Sequence, residues 1–351
     1  MYKLINEGSA KIFVPTEKKI SKKLRVFYNP IMSLNRDISI LLLNSIDKAD
    51  LQIADPLAAS GIRSIRFLKE LRKNKIKMIY INDHDKNFKK TIKNNFKLNK
   101  LKISNKIIIS SEDANLFLLN SKGFDYIDID PFGTPNPFLD SAIKRISRDG
   151  ILAVTSTDTA ALTGTYPKAT LRKYWAASKK DAMMHETGLR ILIRKIQLIG
   201  AQYDKALIPV FSYFRDHYFR IFFKTIKGKK EVDKIMKLHG FFNDSGPLWL
   251  GTLFDKKLAN KMHKLSLKNK IPNNELTKFL KIIKDESKID SIGFYDVHRI
   301  VKKEKIRKMM KKPELIRKIK KNNFKASETH FSGTGIRSDI PYNRLIKLLK
   351  E

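Results

Sequence analysis

Between residues 51 and 131 the chain repeats one pattern, a short apolar run that stops at a polar residue and gives way to a helical stretch. Leu51-Gln52-Ile53-Ala54 runs into Asp55-Pro56, and Ile76 to Ile81 runs into Asn82-Asp83. Ile107-Ile108-Ile109 leads to Ser110 to Asn115, and Tyr126-Ile127-Asp128-Ile129 ends in Asp130-Pro131-Phe132-Gly133. Runs this short and this rich in β-branched and aromatic residues form buried strands, and the helices between them are the crossovers that parallel strands require. Four such units build an α/β fold around a mostly parallel sheet. Their polar residues gather at the carboxyl edge, where ligands bind in open sheets.

Each residue at that edge has a plainer reading beside its functional one. Pro131 has no N–H to continue a ladder, so the strand stops there and leaves Asp130 at its end, beside an aromatic ring and suited to a planar, amine-bearing group. Alone, Asp-Pro at a strand end is more often a turn. Asp83, after the second strand, stands where a ribose diol is held; otherwise it or Asp85 caps the next helix. Asp113 either accepts from an adenine amine or is a turn or cap acid. The Asp55 to Gly61 loop is built of small residues that let a ligand approach backbone N–H groups before the helix Ile62 to Arg72, which buries Ile62, Ile65 and Leu68. With one glycine it is not the Gly-x-Gly-x-x-Gly fingerprint.

Gly150 to Ser156 reads as a fifth strand and Met184 to Tyr203 as an amphipathic helix. Lys205 to Tyr213 and Tyr218 to Thr225 follow as an antiparallel pair. Five parallel strands closed by such a hairpin resemble the Rossmann-like plan of the class I methyltransferases, a seven-stranded sheet that takes S-adenosyl-L-methionine. Ahead of it, residues 1–30 form a basic arm with a short turn and strand near Glu7 to Pro15 and a Lys-rich loop. It ends in Val26-Phe27-Tyr28-Asn29-Pro30, whose rings anchor the arm or stack on a base. Asn35-Arg36-Asp37 opens a helix through Leu43. After Lys227 the texture changes to short basic helices at Asn260 to Leu267, Asn274 to Asp285, Tyr295 to Lys303 and Pro313 to Lys321. This separates a domain 1–228 from a smaller basic domain 229–351, in which Phe331-Ser332-Gly333-Thr334-Gly335 reads as a loop.

Charge selects the partner. The 351 residues include 72 Lys+Arg against 35 Asp+Glu, a formal net charge of +37, which points to nucleic acid even after discounting the Lys, Asn and Ile expected of an A/T-rich coding sequence. A 42% hydrophobic content is that of a globular chain with a core. With no cysteine, disulfides, iron–sulfur clusters and thiol nucleophiles are excluded, and seven scattered His make a metal site unexpected. No apolar run reaches a membrane span and no signal-like core opens the chain, so a soluble cytoplasmic protein, monomeric by default, is expected.

The motifs together resemble the tRNA guanine-26 N2-dimethyltransferases. The matching segments are Glu7-Gly8, Val26 to Pro30, Asn35-Arg36-Asp37, Ser60-Gly61-Ile62-Arg63, Asn82-Asp83, Asp113-Ala114-Asn115 and Asp130 to Gly133. Later come His185-Glu186, Asp216 to Arg220, Gly246 to Gly251 and Thr329-His330-Phe331. The resemblance implies that Arg36, Arg63, Asp83, Asp113 and Ala114 contact S-adenosyl-L-methionine and that Asp130 is the catalytic carboxylate. It implies too that Phe27 and Phe132, with Pro131 beside the acid, hold a flipped guanine, while the basic C-terminal domain holds tRNA phosphates. Ala58 and Ala59 depart from a stretch often richer in glycine, and the cysteine zinc site of some relatives has no counterpart. The rival readings are methylation of another exocyclic amine in RNA or DNA, and a non-catalytic RNA-binding protein on a methyltransferase fold.

Overall fold

The computed structural model describes residues 2–15, 27–268, 273–307 and 309–351. The Lys-rich loop expected in the arm, and Val26, lie outside the described residues.

In chain order the elements are β1 (Tyr2–Glu7), β2 (Ala10–Pro15), α1 (Ser33–Ser45), β3 (Leu51–Asp55), α2 (Ile62–Glu70), β4 (Ile76–Asn82) and α3 (Phe88–Leu98). Then come β5 (Ile107–Ser110), α4 (Ala114–Leu119), β6 (Phe124–Ile129), α5 (Asn136–Arg145), β7 (Ile146–Ser156), α6 (Thr159–Leu162), α7 (Pro167–Tyr174) and α8 (Met184–Ala201). The rest are β8 (Lys205–Arg215), β9 (Tyr218–Lys227), α9 (Lys229–Met236), β10 (His239–Phe242), β11 (Ser245–Trp249), α10 (Lys256–Ser266) and α11 (Asn274–Glu286). The chain finishes with β12 (Tyr295–Asp296), α12 (Val297–Lys303), α13 (Lys312–Lys321), β13 (Ala326–Thr329), β14 (Ser332–Ser338) and α14 (Tyr342–Lys350).

Seven strands form one sheet in the order β5-β4-β3-β6-β7-β9-β8, parallel from β5 through β7 and closed by the β8–β9 hairpin. Parallel strands are covered on both faces, which is why Ile53, Ile79, Ile81, Tyr126, Ile127, Ile129, Leu152 and Val154 are all sealed from solvent. Strand order reverses between β3 and β6, whose Ile53 and Tyr126 lie side by side. At such a switch point the loops after the two strands diverge and open a crevice. The apolar stripes of α2 (Ile65, Phe67) and α3 (Ile92, Phe96) belong to the same core.

The chain packs as two compact units, which differ from a single cut near residue 228. One comprises Met1–Asp158, Lys195–Val210 and Arg220–Lys237; the other comprises Thr159–Arg194, Phe211–Phe219 and Leu238–Glu351. Texture tracks surface charge, whereas a compact unit is set by the core that its elements share. The second unit carries sheets β10–β11 and β12-β14-β13, with a core of Val297, Ile300, Leu315, Ile319, Ile336 and Leu345 among others. Its Ser332 to Gly335 is not a loop but the start of β14, paired with β13 and β12. Glycine is required there by close packing, because a Cβ on Gly335 would stand 2.6 Å from Thr329 Cγ2.

Among the described residues no helix is long and apolar enough to cross a membrane.

Candidate active site

The carboxyl ends of β3, β4 and β6 open onto a cavity of about 480 Å³ within the first unit, a volume in the range of small-molecule sites. Phe27, Arg36, Arg63, Asp83, Asp130, Pro131 and Phe132 all line it, so residues far apart in sequence meet where the alternating pattern places them. Asp113 and Ala114 are not among its lining residues. Asp113 is the N-cap of α4, its Oδ1 accepting from the backbone N–H groups of Asn115 and Leu116 at 2.8 and 3.1 Å, and Ala114 is buried behind it.

The floor of the cavity is the loop after β3. Ala59 holds a left-handed conformation (φ 49°) that glycine adopts without strain, and its N–H donates to Asp83 Oδ2 at 2.8 Å. Asp83 Oδ1 accepts from the Asp85 N–H. The acid at the end of β4 thus clamps the loop while still facing the cavity. Gly61, also left-handed (φ 75°), precedes α2 where an added Cβ would fall 1.9 Å from Ile92 Cδ1.

Behind the cavity lies a buried charge network that strand alternation hints at but does not specify. Arg220, on β9, donates to both oxygens of Asp128 at 2.9 and 2.7 Å, and also to Thr155, Ser39 and Tyr126. Arg63 lies 3.2 Å from Asp128, donates to Asn35 and Ser39 at 3.1 Å, and donates through Nη2 to Asp130 Oδ2. Burial raises the Asp128 carboxyl, but the two guanidiniums outweigh it and hold it below the usual carboxylate range. Arg63 therefore reads as the group that fixes Asp130 in orientation. Asp55, buried on the cavity wall and accepting from Ser64 Oγ at 2.7 Å, is pushed up to about 7 chiefly by burial, against the pull of Arg63.

A second cluster fastens the arm. Arg36 is bidentate to Glu7 at 2.6 and 2.5 Å, Arg66 donates to the same carboxylate at 2.9 Å, and Tyr28 Oη donates to it as well. Burial raises Glu7, and its partners bring it net below the usual range. Phe27, beside Tyr28, meets Phe132 with ring centroids 4.1 Å apart and planes inclined by 69°. In this arrangement the two rings touch each other and leave no slot for a third between them. Among the described residues no group of three or more His, Asp or Glu is placed to hold a metal ion.

A family model described as N2,N2-dimethylguanosine tRNA methyltransferase matches residues 8–245 and 237–350. Curated relatives include the tRNA (guanine(26)-N(2)/guanine(27)-N(2))-dimethyltransferase of Aquifex aeolicus, 37% identical over 99% of this chain and 96% of its own length. The tRNA (guanine(26)-N(2))-dimethyltransferase of Methanocaldococcus jannaschii is likewise 37% identical, over 99% and 98%. The solved structure of Trm1 from Pyrococcus horikoshii with S-adenosyl-L-methionine superimposes with a TM-score of 0.89 at 34% identity, covering 99% of this chain and 100% of that one. On sequence and on architecture alike, the chain belongs to the N2,N2-dimethylguanosine tRNA methyltransferase family.

Proposed function

We infer that this protein transfers methyl groups from S-adenosyl-L-methionine to the exocyclic N2 of guanine 26 in tRNA, giving the mono- and then the dimethylated base. The observation that carries the reading is Asp130. It sits at the end of β6, at the sheet's switch point, in the same cavity as the Asp83-clamped loop and the Phe27–Phe132 pair.

The cavity fits the cofactor by its donor set. Asp83 at the end of β4 suits a ribose diol, the small-residue loop Ala58 to Gly61 gives close backbone approach, and apolar Leu57 and Phe88 suit an adenine face. When bound, S-adenosyl-L-methionine supplies an electrophilic methyl on a positively charged sulfur. The acceptor amine is a poor nucleophile because its lone pair is delocalised into the purine. Asp130 accepts one N–H of that amine and an adjoining backbone carbonyl accepts the other, drawing the nitrogen toward tetrahedral geometry and taking up the proton it must lose. Arg63 keeps the carboxylate from rotating away, and much of the rate comes from that positioning. The guanine leaves its stack to reach a strand-end pocket, and aromatic faces offset the unstacking cost of roughly a few kcal/mol. Phe27 and Phe132 supply those faces once they part to admit it.

Asp130→Ala is expected to keep the fold and calorimetric binding of S-adenosyl-L-methionine while methyl transfer to tRNA drops by at least ~10²-fold. Turnover close to wild type in that variant rejects Asp130 as the acceptor. Labelled-methyl incorporation mapped to individual nucleotides tests the base, since label on adenine or cytosine contradicts guanine N2, and label at guanine 27 as well as 26 places the chain with the dual specificity named for the Aquifex aeolicus relative.

A further inference from the structure

From Thr159 to Lys180 the chain contains no acidic residue but has Lys168, Arg172, Lys173, Lys179 and Lys180. This stretch, in the second unit, includes α7, and α7 is amphipathic in an unusual sense. Thr170 and Tyr174, four residues apart, are fully buried and hold the helix down. The residues at positions 168, 171, 172 and 175 share the opposite face, since three- and four-residue steps stay on one side of a helix. That outer face carries Leu171 at 63% exposure and Trp175 at 47%, with Tyr166 at 62% just ahead of the helix. Beside these apolar groups stand Lys168 and Arg172, which have no acidic partner among the described residues. Trp175 also holds a left-handed backbone conformation (φ 56°), costly for a bulky side chain and kept in place by its C-cap position and by Arg194 donating to its carbonyl at 3.2 Å.

Resting on the reading of the protein as a tRNA methyltransferase, we propose that this face of α7 is an RNA-contacting surface that stacks unpaired bases on Tyr166 and Trp175 and holds the adjoining phosphates with Lys168 and Arg172. Exposed aromatics interleaved with cations, and no carboxylate in the segment, form the combination that single-stranded or loop RNA fits, because every base has a face to stack and every linkage has a charge to neutralise. Lys179 is paired with Asp244 at 2.8 Å, but a protein partner would still have to meet Lys168 and Arg172, and a second copy of this chain brings a net charge of +37 against them. The surface thus extends recognition to a helix outside the C-terminal basic region, and it contributes binding of unpaired nucleotides rather than general attraction.

The test is tRNA affinity against turnover. Trp175→Ala and Tyr166→Ala are each expected to raise Kd and KM for tRNA by about fivefold or more, with kcat at saturating tRNA within about twofold of wild type. Trp175→Phe, which keeps a stacking face, is expected to restore most of the loss. The intact protein offers a second readout, because its other tryptophan, Trp249, is buried. Acrylamide quenching of wild-type fluorescence is expected to fall when tRNA is added and to stay unchanged with S-adenosyl-L-methionine alone. Unaltered quenching with tRNA, or unaltered tRNA affinity in both alanine variants, overturns the surface. So does self-association of the wild type that the alanine variants abolish, which assigns the face to a second copy. A wild-type protein that methylates no tRNA under any of these conditions instead overturns the functional reading on which the proposal rests.

Discussion

At the level of single residues, the site depends on who neutralises whom. Asp128, on β6, and Asp130, the residue just past its end, are two apart, but Asp128 is sealed from solvent and Asp130 faces the cavity. Two cations serve these acids, with Arg220 committed to Asp128 and Arg63 reaching both. Removing one partner from a buried ion cluster leaves an uncompensated charge, which costs about 3–5 kcal/mol, whereas replacing a pair by apolar groups of similar volume is far milder. Arg220→Met is therefore expected to destabilise the protein by about 3–5 kcal/mol in denaturant unfolding. It should also slow methyl transfer, because Asp128 then draws Arg63 away from Asp130. The pairing of Asp128→Asn with Arg220→Met is expected to recover much of the stability. A single Arg220→Met variant as stable as wild type would show that the cluster is not coupled in this way. That Asp130 and Asp83 would face one cavity was legible from their position at strand ends, but the pairing of Arg220 with Asp128 was not, since Arg220 comes from a strand 92 residues later and no local pattern announces its partner.

At the level of elements, the parallel half of the fold was legible because its strands are short runs rich in β-branched and aromatic residues that stop at a polar one, and α2 and α3 carry clear apolar stripes. What stayed hidden were features set by tertiary contact. The arm reads as basic with a short turn and strand, but nothing in it names what it packs on; β2 is pinned to α3 by Asn99 and Asn95 accepting from the Lys11 and Phe13 N–H groups at 2.9 and 3.1 Å. The three-stranded sheet of the second unit escaped notice because Ser332 to Gly335 has loop composition, and His185-Glu186 and Thr329-His330-Phe331 gave no sign of their role. Glu186 and Glu286 are buried around Arg337, which donates to them at 2.6 and 2.8 Å, and His330 lies 2.6 Å from Glu286 through Nδ1. Those segments are the ionic core of the second unit. The turn into α2 offers a test of element-level geometry. Gly61→Ala forces a left-handed alanine and drives a methyl into buried Ile92, so a loss of about 1–3 kcal/mol is expected, with weaker S-adenosyl-L-methionine binding. Adding Ile92→Val removes the colliding Cδ1 and should return part of the stability in thermal unfolding. If it returns none, backbone conformation alone accounts for the glycine.

For the molecule as a whole, the governing quantity is its charge. A chain with 72 Lys+Arg and 35 Asp+Glu attracts any polyanion, so affinity alone says little about which tRNA is chosen. Phosphate contacts position a nucleic-acid substrate without reading its sequence, and under the proposed mechanism the flipped guanine and the stacked nucleotides supply what discriminates. The two contributions separate by their response to salt. Each phosphate neutralised releases counterions, so the logarithm of tRNA affinity is expected to fall linearly with the logarithm of salt, with a slope of about −0.7 to −0.9 per contact. For roughly six to ten contacts, that is about 10³ to 10⁵ in affinity between 50 and 200 mM. S-adenosyl-L-methionine carries a net charge of only about +1 and displaces no counterions from a polyanion, so its affinity should change little over the same range. Raising salt should therefore raise KM for tRNA steeply while kcat at saturating tRNA and cofactor affinity stay nearly level. Filter binding and calorimetry across a salt series measure both. Trp175→Ala should lower the whole affinity line without changing its slope, because stacking releases no counterions, whereas Arg172→Glu should lower it and flatten it. A tRNA affinity indifferent to salt would mean that the basic surface does not hold the substrate, whatever its net charge.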